Sequence, residues 1–181
     1  MMQAYDERGN LVEQAYFGTD GTPILDADGV HLFTRAYDER GNVVEWAYFG
    51  TDGEPTLHTG GYHRLTQTYD QRGNRVESAY FGTGGEPIID TDGVHRVTST
   101  YDERGNRVEE AYFGTDGAPV LRTDWVAHRA TRAYDERGNL VEWAVFGTDG
   151  EPILYANGYH RWTQSFDERG NRVEWAVFAN D

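Results

Sequence analysis

The sequence predicts an all-β protein: a closed ring or shallow barrel of six antiparallel β-hairpins, with an open β-solenoid of stacked hairpins as the alternative. Three observations predict it. The hexapeptide Tyr-Asp-Glu-Arg-Gly-Asn at Tyr5–Asn10 returns at Tyr37–Asn42, Tyr69–Asn74 (with Gln71), Tyr101–Asn106, Tyr134–Asn139 and, headed by Phe, at Phe166–Asn171. The spacings are 32, 32, 32, 33 and 32 residues, and a fixed period this short marks a repeat architecture. The flanks of each copy are rich in Val, Thr, Tyr, Phe and Trp, the residues of strands.

The turn comes first. In Asp38-Glu39-Arg40-Gly41, Asp suits the first position of a type I turn and Gly the last; a left-handed Gly then closes a three-residue hairpin loop with a bulge. The strands run from Val30 to Asp38 and from Asn42 to Phe49. Counting outward from Asp38 opposite Asn42 pairs Tyr37 with Val43, Arg35 with Glu45, Phe33 with Ala47 and His31 with Phe49. These residues then share one face, the expected inner one. The other face carries Leu32, Thr34, Ala36, Val44, Trp46 and Tyr48. Val44 fits this badly, because Val recurs there in every copy. A second turn, Gly50–Pro55, carries a proline that cannot donate to a ladder and belongs at a strand end or edge. The apolar pair after it (Ile24-Leu25, Ile88-Ile89, Val120-Leu121, Ile153-Leu154) is either a brief third strand or a plug. The extra residue of the one 33-residue interval falls near Trp125, in a linking segment, where insertion costs least.

One hairpin is marginal in water, so six must share a sheet. Closure removes exposed edges and is the expected solution. A single repeat domain covers residues 1–181, with hairpins starting near 1, 30, 62, 94, 127 and 159. The copies are so alike that the array reads as recently duplicated, or designed.

Composition bounds the function. The 181 residues contain no cysteine, which excludes disulfides and thiolate metal sites. The net charge is −15, Lys is absent, and Arg is spread among Asp and Glu, so neither nucleic acid nor an anionic membrane is an expected partner. No segment approaches a membrane span. The start, MMQAYDERGN, enters the repeat at once without a signal peptide, which by default places the protein in the cytoplasm.

Two residue types recur where chemistry is conceivable. His31, His63, His95, His128 and His160 could circle a metal or anion, but neighbours one hairpin apart lie about 10 Å from each other, too far to share an ion. A structural His, packed on Phe and bonded to a backbone carbonyl, is the favoured reading. Glu13, Glu45, Glu77, Glu109, Glu142 and Glu174 could bind cations or could pair across strands with residues such as Arg35 or Arg132. Asp26-Ala-Asp-Gly29 and Asp90-Thr-Asp-Gly93 look like fragments of calcium loops but lack further oxygen ligands, and Asp-Gly suits a plain turn. No catalytic spacing or phosphate loop stands out, so no enzyme, no metal and no cofactor is expected. A binding module with repeated sites for glycan or protein remains, beside a purely structural scaffold. Trp46, Trp143, Trp162 and Trp175, with Tyr48, Tyr62 and Tyr159, are the candidate stacking platforms. Trp46, Trp143 and Trp175 occupy equivalent positions, expected to face solvent.

The hexapeptide resembles the YD repeats of bacterial Rhs-type and teneurin shells, in which a Tyr-Asp pair, two free positions and a Gly tip a hairpin. The resemblance covers Tyr5–Asn10 and its copies and implies hairpin repeats. The rotational repetition of long hairpins is also similar to the β-flower fold, which implies hairpin petals around a shallow barrel.

Overall fold

The computed structural model describes residues 1–124 and 126–179; the insertion near Trp125 falls outside them. The described residues form no helix, and twelve strands make six hairpins. Two compact units divide the chain, Met1–Thr91 and Asp92–Asp181. The first holds β1 (Met2–Tyr5), β2 (Leu11–Ala15), β3 (Leu32–Tyr37), β4 (Val43–Phe49), β5 (Arg64–Tyr69) and β6 (Arg75–Phe81). The second holds β7 (Arg96–Tyr101), β8 (Arg107–Phe113), β9 (Arg129–Tyr134), β10 (Leu140–Phe146), β11 (Arg161–Phe166) and β12 (Arg172–Phe178). Within each unit every strand runs antiparallel to its sequence neighbours.

The tips form as the turn chemistry predicts. Gly41 N–H donates to Asp38 O at 3.1 Å, Asp38 N–H donates to Asn42 O at 2.9 Å, and Gly41, Gly73 and Gly105 sit at φ of 88°, 86° and 86°. The register beyond the tip differs from the expected one. Tyr37 faces Val43, but Ala36 faces Glu45, Arg35 faces Trp46 and Phe33 faces Tyr48. Val44 is the extra residue of a β-bulge. The same register shift occurs in all six hairpins, so Val12, Val76, Val108, Val141 and Val173 are bulge residues too. Because side chains alternate, one inserted residue moves the rest of the second strand to the opposite face. Trp46 and Tyr48 therefore share a face with Phe33 and Arg35. Glu45, Ala47 and Phe49 share the other with Leu32, Thr34 and Ala36.

The Phe33 face is the core face, and the linking segments cover it. Val30, Phe33 and Tyr48 are buried together, with Leu11, Trp46 and Tyr62 packed against them. In the second unit Ala127, Ala130 and Val145 form the equivalent cluster, with Trp143, Ile153 and Tyr155 around it. The apolar pairs of the linkers are not strands. Isolated bridges join the strand-end Phe to the Pro (Phe49 to Pro55 and its equivalents), with a further one from Arg122 to Ala127, and Leu25, Leu57, Ile89, Leu121 and Leu154 stay exposed.

Among the described residues the strands pair in sequence order and the sheet is not closed. Among these residues β1 pairs with β2 and all of its residues are exposed; β12 pairs with β11 and is exposed along nearly its whole length. The open, solenoid-like alternative is compatible with this pairing.

The repeated letters lock one hairpin to the next. Tyr37 Oη donates to Leu11 O at 2.9 Å, Tyr69 Oη to Val43 O at 2.9 Å and Tyr134 Oη to Arg107 O at 3.1 Å, each reaching back to the preceding hairpin. Phe166 lacks the hydroxyl; there Gln164 Nε2 donates to Leu140 O at 2.6 Å instead. Four tip arginines reach forward. Arg8 donates to Glu39 O at 3.0 Å, Arg40 to Gln71 O at 2.6 Å and Arg137 to Asp167 O at 2.8 Å; Arg104 bonds Glu136 O in the same way. The turn Glu contributes its carbonyl to this contact, which is why Gln71 substitutes without loss.

Two outcomes check this reading. Gly41→Val should lower stability by roughly 1–3 kcal/mol, because a β-branched residue resists a φ near 88°. Tyr37→Phe should cost about 1 kcal/mol through one lost hydrogen bond. Urea unfolding of both variants tests the pair.

Candidate functional site

The tips create a surface feature that repeats. Between adjacent tips lies an open cleft of about 380 Å³ lined by Asp6, Glu7, Arg8, Val12, Arg35, Ala36, Tyr37, Asp38 and Glu39. Equivalent clefts of about 320 Å³ (Asp38–Arg40 with Tyr69–Gln71) and 260 Å³ (Asp102–Arg104 with Tyr134–Glu136) follow. Carboxylates dominate the walls, and the latch Arg lies in each. These residues were legible as turn formers. The cleft itself was not, because it arises from the spacing of two tips rather than from any one motif.

The Asp at each tip is fully engaged. Asp38 Oδ1 accepts from Arg40 N–H at 2.9 Å and Asn42 N–H at 2.8 Å, while Oδ2 accepts from Asn42 Nδ2 at 2.8 Å. Asp6, Asp70, Asp102, Asp135 and Asp167 make the same set. Donation from the Asn side chain first, and from backbone N–H groups after it, holds all six carboxyls below the usual carboxylate range. By contrast Glu7, Glu39 and Glu136 expose their carboxylates, which make no hydrogen bond or ion pair among the described residues.

The recurrent histidines take structural roles. His63 Nδ1 lies 2.7 Å from Tyr48 O and His128 Nδ1 2.7 Å from Tyr112 O. A carbonyl only accepts, so Nδ1 carries the proton. Phe17, Phe49 and Phe113 meet His31, His63 and His128 edge-on. Three of the recurrent glutamates pair across the junction between hairpins, but with other arginines than expected: Glu45 with Arg64 (3.0 Å), Glu109 with Arg129 (3.0 Å) and Glu142 with Arg161 (3.5 Å). Each Arg also lies over a Phe: Phe81, Phe146 or Phe178. Asp26 caps its own turn, accepting from Asp28 N–H at 2.9 Å and Val30 N–H at 3.1 Å. Among the described residues no three His, Asp or Glu gather as a metal site would require.

The candidate aromatics divide. Trp46, Tyr48 and Tyr62 come together in the first unit. Tyr48 stacks on His58 with centroids 4.7 Å apart and meets Tyr62 at 5.8 Å, while the Arg35 guanidinium lies 3.8 Å over Trp46. Burial pushes the Tyr48 and Tyr62 phenols up. In the second unit Trp143 and Trp162 are cross-strand partners, and Trp143 meets Tyr155 edge-on at 5.6 Å. Tyr159 is half-buried, 3.4 Å from Asn157 Nδ2. The expectation that Trp46 and Trp143 face solvent is corrected: both are half-buried against the core, because the Val bulge turns them inward. Trp175, on edge strand β12, is 53% exposed.

The two environments predict different costs. Trp46→Ala or Trp143→Ala should destabilise by about 2–4 kcal/mol and Trp175→Ala by under about 1 kcal/mol, read by urea unfolding. The tip carboxyls set the acid response. Their folded pKa values lie below the unfolded ones, so the stability they contribute is present above about pH 4 and is lost as the pH falls through the folded values. The urea midpoint should hold from pH 7 to pH 5 and fall below pH 4. Asn42→Ala should flatten that fall by the share of one tip.

No family model matches the chain, and no curated protein matches it. Solved structures do. A crystal structure of TcdB2-TccC3-TEV superposes with a TM-score of 0.59 at 13% identity, over 98% of this chain and 8% of that chain. A crystal structure of TcdB2-TccC3 without the hypervariable C-terminal region gives 0.49 at 15% identity, over 97% of this chain and 9% of that chain. This chain thus spans under a tenth of the length of either. At such identity the likeness is one of fold. It agrees with the YD-repeat resemblance of the hexapeptide.

Proposed function

We propose that the chain is a non-enzymatic interaction module whose hairpin tips present the same cleft repeatedly to a protein partner. The observation that carries this reading is the recurrence of one cleft, with one residue set, between successive tips. The partner that suits it is an extended basic segment. Glu7, Glu39 and Glu136 offer carboxylates that the fold leaves unused, Val12 and Ala36 supply an apolar floor, and the net charge of −15 favours cations at long range. A protein segment suits the surface better than a glycan, because Trp46, Tyr48, Tyr62 and Trp143 are occupied in packing. One observation favours the scaffold reading: five of the six hexapeptide letters are consumed in holding hairpins together.

Parallel arrays of Lys/Arg-rich peptides and of glycans separate the readings. Basic peptides should bind, with affinity falling as salt rises. Glu7→Gln with Glu39→Gln should weaken binding severalfold while the melting temperature stays unchanged. Silence on both arrays would leave the scaffold.

A further inference from the structure

We propose that the first cleft holds a carboxylate-binding subsite built on Arg35, so that the basic segment filling it presents one Asp or Glu among its cations. This deepens the interaction-module reading and rests on it. Arg35 lines the cleft between the first two tips, the largest of the three at about 380 Å³. Its guanidinium lies 3.8 Å over Trp46 and 4.8 Å over Phe33, and the two rings fix its plane. Among the described residues the side chain makes no hydrogen bond and no ion pair, and its Nε is buried without a partner. A half-buried guanidinium left so is costly and asks for an explanation. The chain has 31 acidic residues against 16 basic ones, yet no carboxylate meets Arg35.

The repeat register shows what is missing. Arg occupies this strand position twice: Arg35 faces Trp46, and Arg132 faces Trp143. Across the junction to the preceding hairpin, Gln14 faces Phe33 as Glu110 faces Ala130, each two residues before the Arg. In the second unit Glu110 answers the Arg. Its Oε2 lies 3.6 Å from Arg132 Nη2, its Oε1 accepts from Arg107, and the Glu110 and Arg132 side chains are 8% and 10% exposed. In the first unit Gln14 stands where Glu110 does, and Leu11 where Arg107 does. The Gln14 amide is engaged elsewhere: Oε1 accepts from Gln3 Nε2 at 2.8 Å, and Nε2 donates to Tyr16 Oη at 2.6 Å. One unit thus gives the Arg a carboxylate from the chain, and the other leaves it beside a cleft. The planar guanidinium fork suits a carboxylate. A singly charged ligand group is favoured over a phosphate, because Glu7 and Glu39 line the same cleft and repel a dianion more strongly. Those two carboxylates attract the segment's cations.

Calorimetric titration of the full chain with three Lys-rich peptides that differ only at the central residue (Glu, Gln or phosphoserine) tests the subsite. The Glu peptide should bind about two- to tenfold tighter than the Gln peptide. Arg35→Gln should abolish that preference. So should Gln14→Glu, which supplies the carboxylate from the chain, as Glu110 does for Arg132, and keeps Arg35 on its aromatic rings. Equal binding of the Glu and Gln peptides overturns the subsite while the basic-segment reading stands; failure of every Lys-rich peptide to bind overturns both. A preference for Glu that survives both Arg35→Gln and Gln14→Glu places the carboxylate elsewhere and overturns the assignment. Tightest binding by the phosphoserine peptide overturns the choice of carboxylate.

Discussion

No hairpin here can bury its own apolar face, and the whole structure follows from that constraint. Four to seven residues per strand cover too little surface to stand alone. The fold answers with a junction that every copy repeats. Tyr reaches back to a carbonyl, Arg reaches forward to a carbonyl, and Asp and Asn hold the tip rigid so that both reaches land. The contacts are individually modest, but they satisfy carbonyls at the end of the ladder, where the bulge interrupts regular pairing. A low apolar content suffices because polar bonds, not a thick core, set the register between hairpins.

The linking segments complete the arrangement. They fold over the aromatic face, and successive linkers are tied together where Thr59 N–H donates to Asp28 O (3.3 Å) and Thr123 N–H to Asp92 O (2.9 Å). Copies differ most on this covered face. Trp46 in one is Ser78, Glu110 or Trp143 in others, and each is accommodated by its neighbours: Glu110 is buried beside Arg132, and the Tyr112 phenol is pushed up to about 12 by burial and by that carboxylate. Variation that reads in sequence as solvent exposure is here local repacking.

The tips, the strand spans and the positive-φ glycines were legible because turn chemistry is local: Asp, Gly and Asn each have one job within five residues. The register was not. Val44 was the visible anomaly, an invariant apolar residue on the expected outer face, and a bulge is its physical explanation. Sequence alone places a Val there without saying that it goes unpaired. Closure was not legible either, since a repeat closes or stays open according to small rotations between hairpins that no single residue encodes. Of the candidate aromatics, Trp175 is exposed as expected. Trp46 and Trp143 are not, because their orientation depends on that same bulge. The clefts between tips arise only when the copies are set side by side.

The account therefore assigns the repeated letters to joining hairpins and leaves recognition to what those joints expose. Native-state hydrogen exchange on a chain carrying Arg40→Ala and Tyr69→Phe, which together remove both reaches across the β4–β5 junction, tests this most directly. Faster exchange in β4 and β5 and in the strands paired to them, β3 and β6, with little change in β9 and β10, is the predicted result. Exchange that rises only within the tip Tyr69–Asn74, or nowhere, would contradict it.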